Sequence, residues 1–301
     1  MSAYGSMEEK MVKKKASIRI FLLFVVPAMF IWITVVLIPF IYGLFITFTD
    51  WNGLSMDYNF IGFDNYKSVF LDNTFIESLK KTFVYSFSSV VFSNLLGLAI
   101  ALILTGKIKG QNLFRMGFFT PNIIGGIILG YIWNFIFAFA LTSFGRMSGI
   151  EFFEKSFLTD PKKAMIALII VTTWQMSGYL MVIYIAGLIN VPKDVIEAAE
   201  IDGAGWWKKI RYIKLPMIRS SITICVFLTI TRTFMAFDIN LSLTAGGPYK
   251  STEMISYKIY QTAFSNMKFG LGQAQAVVLF IIVAIISIIQ VTVSRRGEVE
   301  A

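Results

Sequence analysis

The chain has 301 residues, 56% of them apolar and only 15% charged, with a mean hydropathy of +0.70. A water-soluble globular chain carries about 25% charged and about 45–50% apolar residues, so one packed soluble core is excluded. The net charge is +9, the single cysteine excludes an intramolecular disulfide framework, and the absence of histidine removes imidazole catalysis and imidazole metal ligation.

Charge-free stretches mark the elements. Lys13, Lys14 and Lys15 precede a run at 20–49, which is too long for the core of a signal peptide and is read as a retained membrane span. Further runs follow at 82–106, 116–145 and 164–192, then at 220–237, interrupted only by Arg232, and at 269–294. About 20 apolar residues cross about 30 Å of hydrocarbon, and a helix satisfies its own backbone in lipid, so six transmembrane helices are expected. In the third run, Gly126 and Gly130 form a small-xxx-small face that lets another helix approach closely. The six runs differ from one another and show no internal repeat. The expected fold is an all-α integral membrane protein: a cytoplasmic segment 1–19, a six-helix domain 20–294 with a cytoplasmic loop 191–220, and a cytoplasmic tail 295–301.

Lysine and arginine fix the expected orientation. With the N-terminus inside, sixteen of the 27 fall in inner segments and ten in outer ones, with Arg232 inside a span. That asymmetry predicts both termini in the cytoplasm of a cell with a multi-pass protein in its plasma membrane. The basic excess is thereby an orientation signal, and nucleic acid is not an expected partner. No G-x-x-x-x-G-K-[ST] loop is present to cradle ATP phosphates, and no Cys or carboxylate cluster has metal-ligand spacing. Apart from Asp238 at one edge, the spans hold no carboxylate, which counts against a proton-coupled carrier. Neither a cofactor nor enzymatic chemistry is expected in this chain; it reads as a conduit whose energy source lies elsewhere.

The segment 191–220, VPKDVIEAAEIDGAGWWKKIRYIKLPMIRS, falls between the fourth and fifth spans. Asp194 to Glu200 reads as a short helix, with Ala198 and Ala199 as strong formers, ended by Gly203 and Gly205. A second short helix is expected near 206–213, presenting Trp206, Trp207 and Ile210 before Pro216. An apolar elbow on the water side fits two occupants, a partner surface or the membrane surface itself.

EAAEIDGAGWWKKIRYIKLP resembles the EAA loop of binding-protein-dependent ABC importer permeases: Glu197, Ala198, Ala199, Asp202, Gly203, Ala204, Trp207, Ile213, Leu215 and Pro216 stand at matching positions. Ile210 replaces the usual Phe and Ser220 a common Pro. FTDWNG, FIGFDNY and AFDINLSLTAGGP resemble the carbohydrate-importing branch, and the resemblance covers nearly the whole chain. It implies a bacterial cell-membrane permease that pairs with a second permease subunit as a heterodimer. It also implies a cytoplasmic ATPase dimer carrying ATP–Mg and an extracellular sugar-binding protein. Glu197, Ala198, Ala199, Asp202, Gly203 and Ala204 would couple to the ATPase, with Gly203 as the turn.

The same resemblance places carbohydrate contacts on the fourth and fifth spans, at Thr172, Gln175, Met176, Tyr179, Thr229, Arg232 and Thr233. The first four have i, i+3, i+4, i+7 spacing and share one helix face, as do the last three. Membrane Thr and Tyr also serve as interhelical hydrogen-bonding groups, and Arg232 could snorkel or pair with a partner subunit. The alternative function is an ATPase-independent secondary carrier or channel for small polar solutes.

Overall fold

The computed structural model describes residues 21–55, 57–106 and 109–295. The expectations for 1–19 and for the tail beyond Arg295 lie outside the described residues. Helices dominate, and among the described residues the only β pairing is an isolated bridge between Thr49 and Phe60. Helix α1 spans Phe21–Ile46, followed by α2 (Asp64–Leu71) and α3 (Asn73–Leu104). Helices α4 (Gln111–Ile123), α5 (Gly126–Ser148) and α6 (Pro161–Ile189) come next. The elbow consists of α7 (Lys193–Ile201) and α8 (Trp206–Met217) and leads into α9 (Arg219–Phe234). Two short helices, α10 (Asp238–Leu243) and α11 (Ile255–Tyr260), precede the last long one, α12 (Phe269–Arg295).

Five of these helices, α1, α3, α5, α6 and α12, are long and apolar enough to cross a membrane. A sixth crossing is broken: α8 and α9 are bent by 72° at Ile218. Alone, the 16 residues of α9 reach about 24 Å at about 1.5 Å each, short of about 30 Å of hydrocarbon. The fold class is as expected, but two runs depart from single helices of the expected length. The third run, 116–145, is split at Ile124 and Gly125, whose backbone is extended. The fifth ends at Phe234 instead of Phe237, which puts Arg232 in the last turn of α9.

Polarity is inverted relative to a soluble protein. Phe21, Leu23, Phe24, Phe87, Leu95 and Phe280 point outward, where lipid solvates them as well as a core would. Inside, α3 presents Ser78, Thr82, Ser86, Ser89 and Ser93 at spacings of three or four, all buried. Ser78 and Thr82 meet the 253–255 segment, and further along the helix α3 packs closely on α6. At Gly97 an added Cβ would lie 3.0 Å from the carbonyl of Ser177. Helix α6 is the most enclosed element, with α3, α4 and α9 around it. Helix α1 stays peripheral and meets the bundle near Gly43, which lies against Gln273 of α12. The Gly126/Gly130 face receives α10, since a Cβ at Gly126 would fall 2.7 Å from Cβ of Asp238 and one at Gly130 would collide with Ser242.

Candidate functional site

The break between α4 and α5 starts the site. Pro121 sits inside α4 and forfeits a backbone hydrogen bond, and the chain leaves helical geometry three residues later. The carbonyl of Ile124, left without a helical partner, accepts a hydrogen bond from Nε2 of Gln175 on α6 at 3.3 Å. An unsatisfied backbone group away from water would be costly, so this bond makes the break tolerable. Helix α4 approaches α6 this closely because Gly178 lacks a side chain; a Cβ there would collide with the carbonyl of Phe118.

A cavity of about 690 Å³ lies between this break, the middle of α6 and the end of α9. Pockets for small ligands run from about 300 to about 1,000 Å³. Its walls include Thr172, Gln175, Met176 and Tyr179 from α6 and Arg232 and Thr233 from α9. These are six of the seven residues that spacing and resemblance single out. The seventh, Thr229, is fully buried outside the cavity. Its hydroxyl donates to the Cys225 carbonyl at 2.7 Å and accepts from Nδ2 of Asn94 at 3.3 Å. Asn94 in turn accepts from the Tyr184 hydroxyl at 2.7 Å, so Thr229 ties α9 to α3 and α6. A helix face wide enough to hold 229, 232 and 233 serves two neighbours, the cavity at one edge and α3 at the other.

Arg232 is exposed to the cavity, and its Nη1 donates to Oδ1 of Asn122 at 2.8 Å and contacts Sδ of Met176 at 3.5 Å. Among the described residues no acidic side chain pairs with it. In the last turn of α9 its charge also complements the helix C-terminus. Asp238 lines the same cavity, as do Tyr85 and Phe237. The Tyr85 hydroxyl meets Thr172 Oγ1 at 2.7 Å. The arrangement offers one cation, one carboxylate, two amides, several hydroxyls and the aromatic faces of Tyr179 and Phe237. Such a set can hydrogen-bond a polyhydroxylated solute at many points while packing its apolar ring faces.

Asn122, Tyr85 and Asp238 did not emerge from the sequence as wall residues. Turn chemistry within the third run, Pro121–Asn122 followed by Gly125–Gly126, was the available signal for a break and hence for Asn122. Tyr85 had none, because its place follows from the packing of α3 on α6. A second hollow of about 740 Å³, lined by Phe92, Leu95, Leu96, Ile166, Ile170 and Trp174 among others, is larger but almost wholly apolar. Beyond Thr173 and Trp174 its lining offers no polar side chain to orient a solute.

At the other end of α6 and α9 stands the elbow. Helix α7 closes with the hydrogen bonds of a Schellman motif: Ala204 N–H donates to the Ala199 carbonyl at 2.8 Å and Gly203 N–H to the Glu200 carbonyl at 3.1 Å. Gly203 sits at φ +73°, where a residue with a Cβ is strained. Glu197, Ala198 and Asp202 are exposed, Ala199 and Ala204 half-buried. Lys209 Nζ pairs with Glu200 across the turn. The hydrogen bond and positive charge of Lys209 hold the Glu200 carboxyl below the usual glutamate range. The second helix extends past 213 to Met217 by way of a wider turn at Ile210–Lys214, and Ile210 and Ile218 bury its inner side.

Residues 7–298 match the family model described as "Binding-protein-dependent transport system inner membrane component". The probable starch degradation products transport system permease protein AmyD of Thermoanaerobacterium thermosulfurigenes is 44% identical, over 92% of this chain and 94% of that protein. The multiple sugar-binding transport system permease protein MsmF of Streptococcus mutans is 34% identical, over 87% and 90%. In fold, the chain is similar to a chain of a bacterial ABC transporter involved in the import of the acidic polysaccharide alginate. The TM-score is 0.82 at 20% identity, covering 95% and 99% of the two chains. A polar cavity within a membrane-spanning bundle, an elbow at the far end of its walls and a match across nearly the whole length agree with one another. The chain belongs to the family of binding-protein-dependent transport system inner membrane components.

Proposed function

We propose that this chain is a permease subunit of an ATP-binding-cassette importer that carries a sugar or oligosaccharide through the 690 Å³ cavity by alternating access. One observation carries the reading: the elbow is spliced between the two helices that form the cavity walls. Helix α6 ends at Ile189 and α7 begins at Lys193; α8 ends at Met217 and α9 begins at Arg219. A partner that moves the elbow therefore moves α6 and α9 with almost no intervening slack. Thr172, Gln175, Tyr179, Arg232 and Thr233 hold the cargo, Met176 packs against it, and Thr229 keeps the wall helix in register.

The energy comes from a cytoplasmic ATPase dimer, which binds ATP–Mg and docks on Glu197, Ala198, Ala199, Asp202, Gly203 and Ala204. A second permease subunit closes the far side of the path, and an extracellular binding protein delivers cargo at the end remote from the elbow. Both termini and the elbow are cytoplasmic, as the lysine and arginine asymmetry supports. This chain performs no covalent chemistry in that scheme. The starch-product and multiple-sugar systems of its relatives support carbohydrate as cargo, and the family's dependence on a binding protein counts against an ATPase-independent carrier or channel.

The test is uptake of radiolabelled maltodextrin by proteoliposomes that hold this chain with its partner subunit and ATPases. Accumulation is expected only when ATP is on the ATPase side and the binding protein is on the other. Equal accumulation without ATP would reject the proposal.

A further inference from the structure

The elbow divides its charge. Residues 193–202 hold Asp194, Glu197, Glu200 and Asp202 against Lys193 alone, whereas α8 holds Lys208, Lys209, Arg211 and Lys214 and no acid. It also divides its apolar surface. The inner side of α8 buries Ile210, with Ile213, Leu215 and Met217 packed on a cluster that includes Ile185, Leu188 and Val191. The outer side leaves Trp207 and Tyr212 67% and 75% exposed, interleaved with the exposed Lys208 and Arg211, and Trp206, at the start of the helix one turn before Ile210, is exposed as well.

The 72° bend at Ile218 turns α8 steeply away from the line of α9. Helix α9 supplies about 24 Å of the crossing, so α8, bent 72° away from it, enters the interfacial zone at the elbow end and runs close to the membrane plane. A helix that lies there with tryptophan, tyrosine and basic residues on its free face has the composition of an interfacial helix, aromatic rings at headgroup depth and cations on phosphate. The acidic α7 has the opposite character and is repelled by the same surface.

We infer that the two halves of the elbow have different partners: the exposed start and outer face of α8, through Trp206, Trp207, Lys208, Arg211 and Tyr212, bind anionic phospholipid headgroups of the leaflet on the elbow side. The lipid contact would hold the joint between α8 and α9 at a fixed depth, so that force applied to α7 tilts the wall helices instead of sinking the elbow. This assignment rests on membrane insertion alone and is independent of the cargo and of the ATPase.

The experiment uses the full 301-residue chain in phosphatidylcholine vesicles doped with either dibromo-phosphatidylglycerol or dibromo-phosphatidylcholine. Subtracting the tryptophan emission of W206F/W207F from that of the parent isolates the two elbow tryptophans from the other four, whose unchanged quenching reports an intact bundle. The elbow signal is expected to be quenched at least about twofold more by the anionic lipid, since each basic residue near an anionic surface adds attraction. K208Q/R211Q should bring the ratio to about one while both lipids still quench. If either double variant fails to insert, W207F and R211Q alone give the same readout. Equal quenching of the parent by both lipids, or none by either, overturns the inference; the latter places this face in water or against a protein.

Discussion

The cavity and the elbow occupy opposite reaches of the same two helices, and different forces hold them. The elbow is local. Its turn is closed by hydrogen bonds between residues three to five apart, from Ala198 to Ala204, and by one ion pair across the turn. The cavity is assembled from distant segments: Tyr85 against Thr172, Arg232 against Asn122 and Gln175 against Ile124 bring α3, α4, α6 and α9 together. The elbow can therefore move as a unit and keep its shape, whereas the cavity takes whatever shape its helices are given. That is the division of labour the proposed function asks of a lever and its load.

Topology gives an all-or-none way to sharpen the contrast. Cysteines at Tyr249 and Lys109, both exposed, should react with an impermeant thiol reagent from opposite sides of the membrane in a Cys225→Ala background. Cys225 itself is buried, so removing it silences the background without opening the surface. Labelling of both sites from outside whole cells would put the two loops on one side and overturn the topology that places the elbow in the cytoplasm.

The next largest effect falls on the cavity's packing. Gly178→Ala already drives a Cβ into the Phe118 carbonyl, and Gly178→Val adds two methyl groups. Overpacking of this kind costs about 1–3 kcal/mol or more, so the valine variant should show a lower unfolding temperature and reduced cargo binding. The contacts that close the elbow's own turn stay intact. Gly203→Val is the mirror experiment. No atom lies near a Cβ at that position, so the whole penalty, about 1–2 kcal/mol, is backbone strain at positive φ. Cargo affinity should stay at the parental value while uptake falls at least about tenfold, and Gly203→Asn should recover part of it because asparagine tolerates that conformation.

Sequence reasoning reached these two regions unequally, for the same physical reason. Alanine pairs, the glycine turn and the charge pattern of 193–217 act over a few residues, so the elbow could be read directly. Helical spacing also put Thr172, Gln175, Met176 and Tyr179 on one face, and they share one wall. It could not separate Thr229 from Arg232 and Thr233, because only packing against Asn94 decides which edge of α9 meets α3. Charge-free length hid the break at Ile124 and Gly125 as well. Such a run reports that a segment avoids water but not whether its helix is continuous. Polar cavity walls can satisfy a broken backbone, as Gln175 does here.

Smaller effects probe single contacts. Charge-assisted hydrogen bonds contribute about 1.5–3 kcal/mol, so Arg232→Met should raise half-saturation for cargo by about tenfold or more at equal membrane abundance. Arg232→Gln retains donors and should lose less with a neutral sugar, but as much as Met with an acidic one. Smallest is Glu200→Gln. The Glu200 carboxyl is held below its usual range, so its pairing with Lys209 contributes above that range and is lost as pH falls through the lowered value. The variant should bind the ATPase slightly less well near neutrality and match the parent once the pH is acid enough to protonate Glu200.

Cargo molecules imported per ATP hydrolysed, measured in proteoliposomes for the parent, Gly203→Val and Arg232→Met, test the division between lever and load most directly. The ratio is expected to collapse for Gly203→Val, with ATP still hydrolysed. For Arg232→Met it should equal the parental ratio once cargo is saturating. A parental ratio in Gly203→Val, or a collapsed one in Arg232→Met at saturation, would contradict the account.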